Sequence, residues 1–362
     1  MSVYYLDKAN FGEKERVVAE HGTMRAVTFR YSTGTCALRV ENERGSFTVL
    51  PFWGHQIWRA SFDGIDLTMK TGIEEPKEMP DFMYSYGCFM MHSGLCGVGG
   101  PGPEDDHKVH GDLPVAPFSE PRIECGEDAE GRYMTVLGTY HHFRTFTVEY
   151  KFTSAYKLYE NGTLIHLTVH IDNLRKTPME YGYLCHINFR PFEGAKILCT
   201  APCDAAHIRV HKNIPASMPE KEAKALKAYM DAMQKTPEVH TTVNKETQIY
   251  NPEIVSTLSY KADAEGYAHT MQYRPDGYAC YVKHPTEPLN NSLRWISRTE
   301  DEDAMGMVLP ASAEHKGYSH AKREGQIRTI EGCGTLEFTI SFGLLVPVEA
   351  EKMREKIEKV LR

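Results

Sequence analysis

Leu336-Glu337-Phe338-Thr339-Ile340-Ser341-Phe342-Gly343-Leu344 alternates apolar residues with polar or small ones along its whole length. A side-chain period of two belongs to a β-strand with one face buried. The same period recurs at Ile165, Leu167, Val169 and Ile171, and at Phe146, Val148, Tyr150 and Phe152. Shorter segments near 23–31, 36–40, 46–52, 56–63, 133–138, 183–189, 253–260, 278–282 and 293–297 also read as strands, with turn residues between them. Many strands at short spacing predict an all-β sandwich or barrel. Helix is scarce. Residues 219–235 start on a proline, carry acids early and lysine late, and place Leu226, Met230 and Met233 on one face. Residues 348–361 follow the same logic, and both segments read as short peripheral helices. No repeat, low-complexity tract or linker divides the chain, so a single domain over 1–362 is the simplest organisation.

Composition narrows the function. The 362 residues are 41% hydrophobic and 25% charged, which suits a globular protein with a full core. A net charge of −8 spread along the chain lacks the basic footprint that nucleic acid requires. No apolar run approaches the roughly 18 residues of a membrane span. The N-terminus has no basic and apolar pattern of an export signal. The cysteines, nine in number with no C-x-x-C pair, read as reduced thiols of a cytoplasmic protein.

Two stretches carry candidate chemistry. Tyr86–Phe118 holds seven glycines and four prolines, a density that predicts an irregular loop without helix or long strand. It also holds His92, His107, His110, Cys96, Asp105, Asp106 and Asp112. Long loops on rigid scaffolds are where sites sit. A surface loop with incidental histidines and a metal site built from His92, His107, His110 and Asp106 are both open readings. The glycine run 97–102 lacks the Lys-Ser/Thr of a phosphate-binding loop. In the second stretch, Tyr183-Leu184-Cys185-His186-Ile187-Asn188-Phe189-Arg190, strand alternation sets His186, Asn188 and Arg190 on one face. That face is either a solvated surface or the wall of a polar cavity. The pairs His141-His142 and His166/His170 read as solvent-facing. Lys283, at a strand end, is within reach of a cavity.

Several motifs together resemble one family. P-F-W-G-H-Q-I-W-R-A-S-F-D-G-I-D-L (51–67), H-S-G-L-C-G-V-G-G-P (92–101), V-H-G-D-L-P (109–114), Y-L-C-H-I-N-F (183–189) and M-V-L-P-A-S-A-E-H-K-G-Y (307–318) resemble the aldose 1-epimerase-like proteins of the galactose mutarotase superfamily. The closer likeness is to a branch known mainly as a domain of unknown function. The resemblance implies an antiparallel β-supersandwich whose concave face holds a sugar. It implies that His110 contacts the sugar near its reacting end and that His186 is the general acid. It also implies a late glutamate base directly before Pro-Ala. This sequence departs there: Leu309 precedes Pro310-Ala311, and Glu314 is the nearest downstream carboxylate, with Asp112 another candidate.

Anomer interconversion removes the C1 hydroxyl proton while the ring oxygen gains one; the ring opens, C1 rotates, and reclosure reverses both transfers. Each acid or base contributes about 10²–10⁴-fold. The expected site is therefore catalytic His186, His110 and Glu314, with His92, Trp58, Arg59, Asp112, Asn188, Lys283 and Arg294 around the sugar. No cofactor and no metal are expected in this reading; the partner is a small sugar. A non-catalytic carbohydrate-binding protein and a metal-assisted sugar isomerase using the loop histidines are the alternatives.

Overall fold

The computed structural model describes residues 1–362, and antiparallel sheets dominate it. One nine-stranded sheet runs, in spatial order, through Ser2–Tyr5, Ser119–Asp128, Gly131–Arg144, Val148–Tyr159, Leu164–Asn173, Thr335–Leu345, Ala279–Pro285, Tyr267–Tyr273 and Lys196–Cys199. A second sheet orders Arg16–His21, Met24–Arg30, Cys36–Asn42, Gly45–Val49, Ile57–Phe62, Met90–Leu95, Met179–Ile187 and Arg328–Ile330, with Ile65–Asp66 beside Ile57–Phe62. A small four-stranded sheet holds Ile208–His211, Ile254–Leu258, Leu293–Arg298 and Asp303–Leu309.

The alternating stretch that opened the sequence pairs with the other: Leu167 lies opposite Ile340 and Val169 opposite Phe338. Their inward side chains join Phe152, Tyr156, Phe47 and Phe89 in one buried core between the two large sheets. Removing apolar area from water at about 25 cal/mol per Å² is what holds such layers together. Phe146, expected inward by periodicity, instead stands 92% exposed at a turn with φ +65°, because its strand begins only at Val148.

Both expected helices form. α1 (Glu220–Lys235) buries Leu226, Met230 and Met233, with Pro219 at its N-cap. A short α2 (Tyr318–Arg323) was not legible in the sequence; it starts after Gly317. α3 (Pro347–Leu361) lays Ala350 and Ile357 against Met271, Tyr281 and Leu345.

The Tyr86–Phe118 segment corrects one expectation. It contains the strand Met90–Leu95, buried throughout, which pairs with Met179–Ile187 so that His186 faces Met91 across the ladder. Beyond it the glycines permit close approach. A Cβ on Gly99 would lie 1.8 Å from the His315 carbonyl, and Gly100 N–H donates to that same carbonyl at 3.0 Å. This draws residues 314–318 onto the loop. His110 (φ +61°) and Gly111 (φ +78°) then turn the chain in the left-handed region, where a Cβ on Gly111 would meet the Gly97 and Gly94 carbonyls.

Candidate active site

Four segments close on a cavity of about 220 Å³. Gly99, Gly100, Val109 and His110 come from the loop; Leu184 and His186 from the strand Met179–Ile187; Glu253, Val255, Leu293, Trp295 and Leu309 from the small sheet; His315 from the segment before α2. Two larger depressions, of about 410 and 490 Å³, lie along the other side of the loop and contain neither His186 nor His315. The smaller cavity is the candidate site because it gathers three imidazoles and a carboxylate in a space below the ~300–1,000 Å³ of drug-sized ligand sites.

His186 is held in one tautomer. Asn188 Nδ2 donates to the Cys88 carbonyl at 3.0 Å, which fixes its Oδ1 as an acceptor. Nδ1–H of His186 donates to that oxygen at 2.7 Å, and the Tyr86 hydroxyl donates to it at 2.9 Å. Nε2 of His186 is thereby the ring nitrogen with a free lone pair. Burial holds the Tyr86 phenol well above its ordinary pKa, so it stays a donor. Trp295 packs edge-on to the His186 ring at 5.1 Å, and its indole N–H donates to Glu253 Oε2 at 2.7 Å. His110 also packs edge-on to this ring, at 5.3 Å.

His315 is held in the opposite sense. Asn213 Nδ2 lies 3.2 Å from its Nε2, and with the exposed amide in this orientation Nε2 accepts and Nδ1 carries the proton. That Nδ1 is buried without a protein partner, as is Nδ1 of His110. Unpaired buried nitrogens are costly unless a ligand completes them. Burial is the largest influence on all three rings and favours the neutral form. It pushes His186 to about 4, against the Asn188 bond, and His315 to about 4, with the Lys316 charge adding to it. His110 falls well below its ordinary value through burial and its histidine neighbours.

The cavity thus presents one imidazole as an acceptor, one as a donor, and a carboxylate whose second oxygen is free of protein partners. His186 and His110, chosen from the sequence, line it together. Leu309 lines it too, at the position where the resemblance implies a glutamate.

The remaining expected residues lie elsewhere. Glu314 is buried outside the cavity lining, where Arg209 and His320 bond it, and the Thr257 hydroxyl donates to it at 2.6 Å. Burial raises its pKa, but the Thr257 and Arg209 bonds outweigh that and hold it at about 2. Neighbouring His315 takes the cavity-facing direction in its place. His92 is in the sandwich core, bonded to the Tyr183 and Tyr156 hydroxyls at 2.8 and 2.9 Å. Trp58 is fully buried under Phe82 and Met91, and Arg59 spends its guanidinium on the Trp58, Gly87, Ile73 and Glu74 carbonyls. Asn188 is fully buried and its bonds are all internal, so it orients His186. Arg294 points to the opposite face from Leu293 and Trp295, donating to the Met307 carbonyl. Lys283 lies over the Tyr267 ring on the nine-stranded sheet. Asp112 faces the 410 Å³ depression. His107 accepts from the Tyr318 N–H of α2, so His92, His107 and His110 do not converge on a common point. Glu253, Trp295, His315 and Tyr86 were missed by sequence reasoning.

The model of the family described as "Domain of unknown function (DUF4432)" matches residues 32–344. The chain belongs to the DUF4432 family. This DUF4432 protein shares its fold with a Klebsiella pneumoniae protein described provisionally as an aldose 1-epimerase: the TM-score is 0.84 at 14% identity, over 100% of this chain and 96% of the other. A galactose mutarotase-like protein from Lactobacillus casei matches with a TM-score of 0.55 at 11% identity, over 85% of this chain and 100% of its own. One from Clostridium acetobutylicum gives 0.54 at 12%, over 89% and 98%. No curated protein sequence matches the DUF4432 chain. The fold is therefore galactose mutarotase-like. No helix in it is long and apolar enough to cross a membrane.

Proposed function

We propose that this protein interconverts the anomers of a small, uncharged monosaccharide by proton transfer between neutral imidazoles. The observation that carries the reading is a pair of imidazoles at one cavity, His186 with Nδ1 engaged by Asn188 and Nε2 left to accept, and His315 with a buried, unpartnered Nδ1 that donates when protonated. His186 Nε2 takes the proton from the C1 hydroxyl as His315 Nδ1–H gives one to the ring oxygen. The C1–O5 bond opens to the free aldehyde, C1 turns about C1–C2, and the reverse transfers close the other anomer. Both imidazoles return to their starting states. Glu253 accepts from a sugar hydroxyl with its free oxygen, while its other oxygen fixes Trp295 as an apolar wall for the ring. His110 supplies a further hydrogen bond near the reacting end. In this reading His186 Nε2 takes the part of the glutamate base that the resemblance places before Pro-Ala, Leu309 stands at that position, and Glu253 is the cavity's carboxylate.

The provisional 1-epimerase description of the Klebsiella relative agrees with this chemistry. Magnetisation-exchange NMR on a panel of aldoses tests it. Anomer exchange accelerated by the protein, and lost by about 10²–10⁴-fold in His186→Ala, is expected for an acid–base group. Sugars that bind yet exchange at the uncatalysed rate would assign the cavity to a binding protein instead.

A further inference from the structure

On the far side of the loop from the sugar cavity, three side chains of different chemistry meet. Cys96 follows the strand Met90–Leu95, Asp112 lies two residues beyond His110, and His142 sits on the strand Gly131–Arg144. Cys96 Sγ is 4.0 Å from His142 Nε2, and Asp112 Oδ2 is 3.1 Å from His142 Nδ1. One ligand atom from each residue lies within 4.8 Å of the other two. All three line the depression of about 410 Å³.

We propose that Cys96, Asp112 and His142 bind a borderline divalent cation of the Zn²⁺ class. The donor set decides the class: thiolate and imidazole select zinc-like ions, whereas magnesium and calcium take oxygen alone. Around zinc, bonds of about 2.0–2.3 Å put tetrahedral ligands roughly 3.3–3.8 Å apart. A triangle with edges inside 4.8 Å closes to that size by side-chain rotation. Three protein ligands with the fourth position open to the depression leave room for water. The surroundings are those of a supported site. The Tyr140 hydroxyl bonds His142 Nδ1 at 2.9 Å, the Tyr150 hydroxyl donates to Asp112, and the Tyr150 ring stacks on His142 at 4.8 Å. Such outer partners fix the orientation of ligands. Asp112 occupies the N-cap position of the short 3-10 turn Leu113–Val115 yet makes no capping bond, its carboxylate being turned towards the cluster. A thiol beside a carboxylate repels itself as an anion, and a cation between them removes that cost.

The ion would tie two strands of different sheets to the loop that carries His110, making it a structural clamp beside the sugar cavity. The test uses the full-length protein, stripped with chelator and titrated with Co²⁺ alone. One equivalent per chain is expected, with a near-ultraviolet thiolate-to-cobalt charge-transfer band displaced by Zn²⁺. Cys96→Ser abolishes the band, Asp112→Asn and His142→Gln weaken binding at least tenfold, and Cys203→Ser and Cys333→Ser leave it intact. Absence of saturable uptake, or a band that survives Cys96→Ser, overturns the proposal. Alkylation of the unaltered protein gives a reading independent of any variant's folding. Zn²⁺ should slow modification of Cys96 at least tenfold by peptide mass spectrometry; an unchanged rate overturns the site.

Discussion

Asn188 Oδ1 accepts from His186 Nδ1 at 2.7 Å while its own amide is tied to the Cys88 carbonyl at 3.0 Å, so one buried asparagine dictates which histidine nitrogen faces the cavity. Removing it in Asn188→Ala frees the ring to adopt either tautomer. Anomer exchange is expected to fall about 10–100-fold, less than the 10²–10⁴ of deleting the acid–base group itself. Asn188→Asp sets a carboxylate against the imidazole and raises its pKa, so the acid limb of the pH profile moves to higher pH. An unmoved limb in Asn188→Asp would separate Asn188 from the titrating group.

The pH dependence has a definite sign. Burial holds His186 and His315 at about 4, so both are neutral from weakly acidic through weakly basic pH. On the proposed function, the protein-dependent rate should be flat from about pH 6 to 8 and decline as pH falls through 4, when His186 Nε2 acquires the proton that blocks it. Rates measured after subtracting the spontaneous reaction check this. A rate rising as pH falls from 6 would show that an imidazolium, not a neutral ring, does the chemistry.

Glu314 is the centre of a hydrogen-bond cluster with Arg209, Thr257 and His320. Glu314→Gln removes the charge from bonds to Arg209, Thr257 and His320, and hydrogen bonds to charged groups are worth about 1.5–3 kcal/mol each. Because Arg209 is half-exposed and regains water, a loss of about 1–3 kcal/mol overall is expected. Its folded pKa of about 2 lies below the unfolded value of 4.5. The stabilisation is therefore full above the unfolded value and lost as pH falls from there through 2. Denaturant melts at pH 7 and at pH 3 should show the variant's deficit shrinking at the lower pH, while anomer exchange at pH 7 stays within about twofold. A large loss of exchange by a fully folded variant would return Glu314 to the chemistry.

Substrate charge follows from the lining. No lysine or arginine borders the cavity, and Val109, Leu184, Val255, Leu293 and Leu309 are aliphatic. Burying a phosphate without a cation is costly. Hexose phosphates should therefore exchange no faster than the uncatalysed rate under conditions where a neutral pentose or hexose is accelerated. NMR exchange on matched pairs, each sugar with and without its phosphate, decides this.

The strand alternations were legible because one buried face imposes a period of two, and Leu336–Leu344 and Ile165–Ile171 pack as read. The strand Met90–Leu95 was hidden by its glycine- and proline-rich surroundings, which argue against regular structure locally while the partner strand Met179–Ile187 imposes it. Alternation placed His186 on one strand face with Asn188 but left that face open between solvent and cavity; the resemblance singled His186 out. Charge misled the choice at Arg294, where the apolar neighbours Leu293 and Trp295 face the cavity. Glu314 is the nearest carboxylate downstream of Pro310-Ala311, but the chain there is irregular, and it is the Gly99–Gly100 contact with the His315 carbonyl that decides which of the two adjacent side chains faces inward. Glu253 stands in an Asn-Pro-Glu turn ahead of a short strand, with no periodic or motif signal to mark it.

Beside the loop and the His315 segment, two sheets contribute to the cavity. His186, with Asn188 and Tyr86 behind it, belongs to the large sandwich, whereas Glu253, Val255, Leu293, Trp295 and Leu309 come from the four-stranded sheet or its immediate approach. On the proposed function, the proton acceptor His186 therefore sits on a different piece of architecture from most of the side chains that would shape the sugar's surroundings. Side chains on the small sheet can be exchanged without disturbing the hydrogen bonds that set the His186 tautomer. If the proposed function holds, substitutions confined to the lesser sheet would retune sugar preference while the bonds that orient His186 persist.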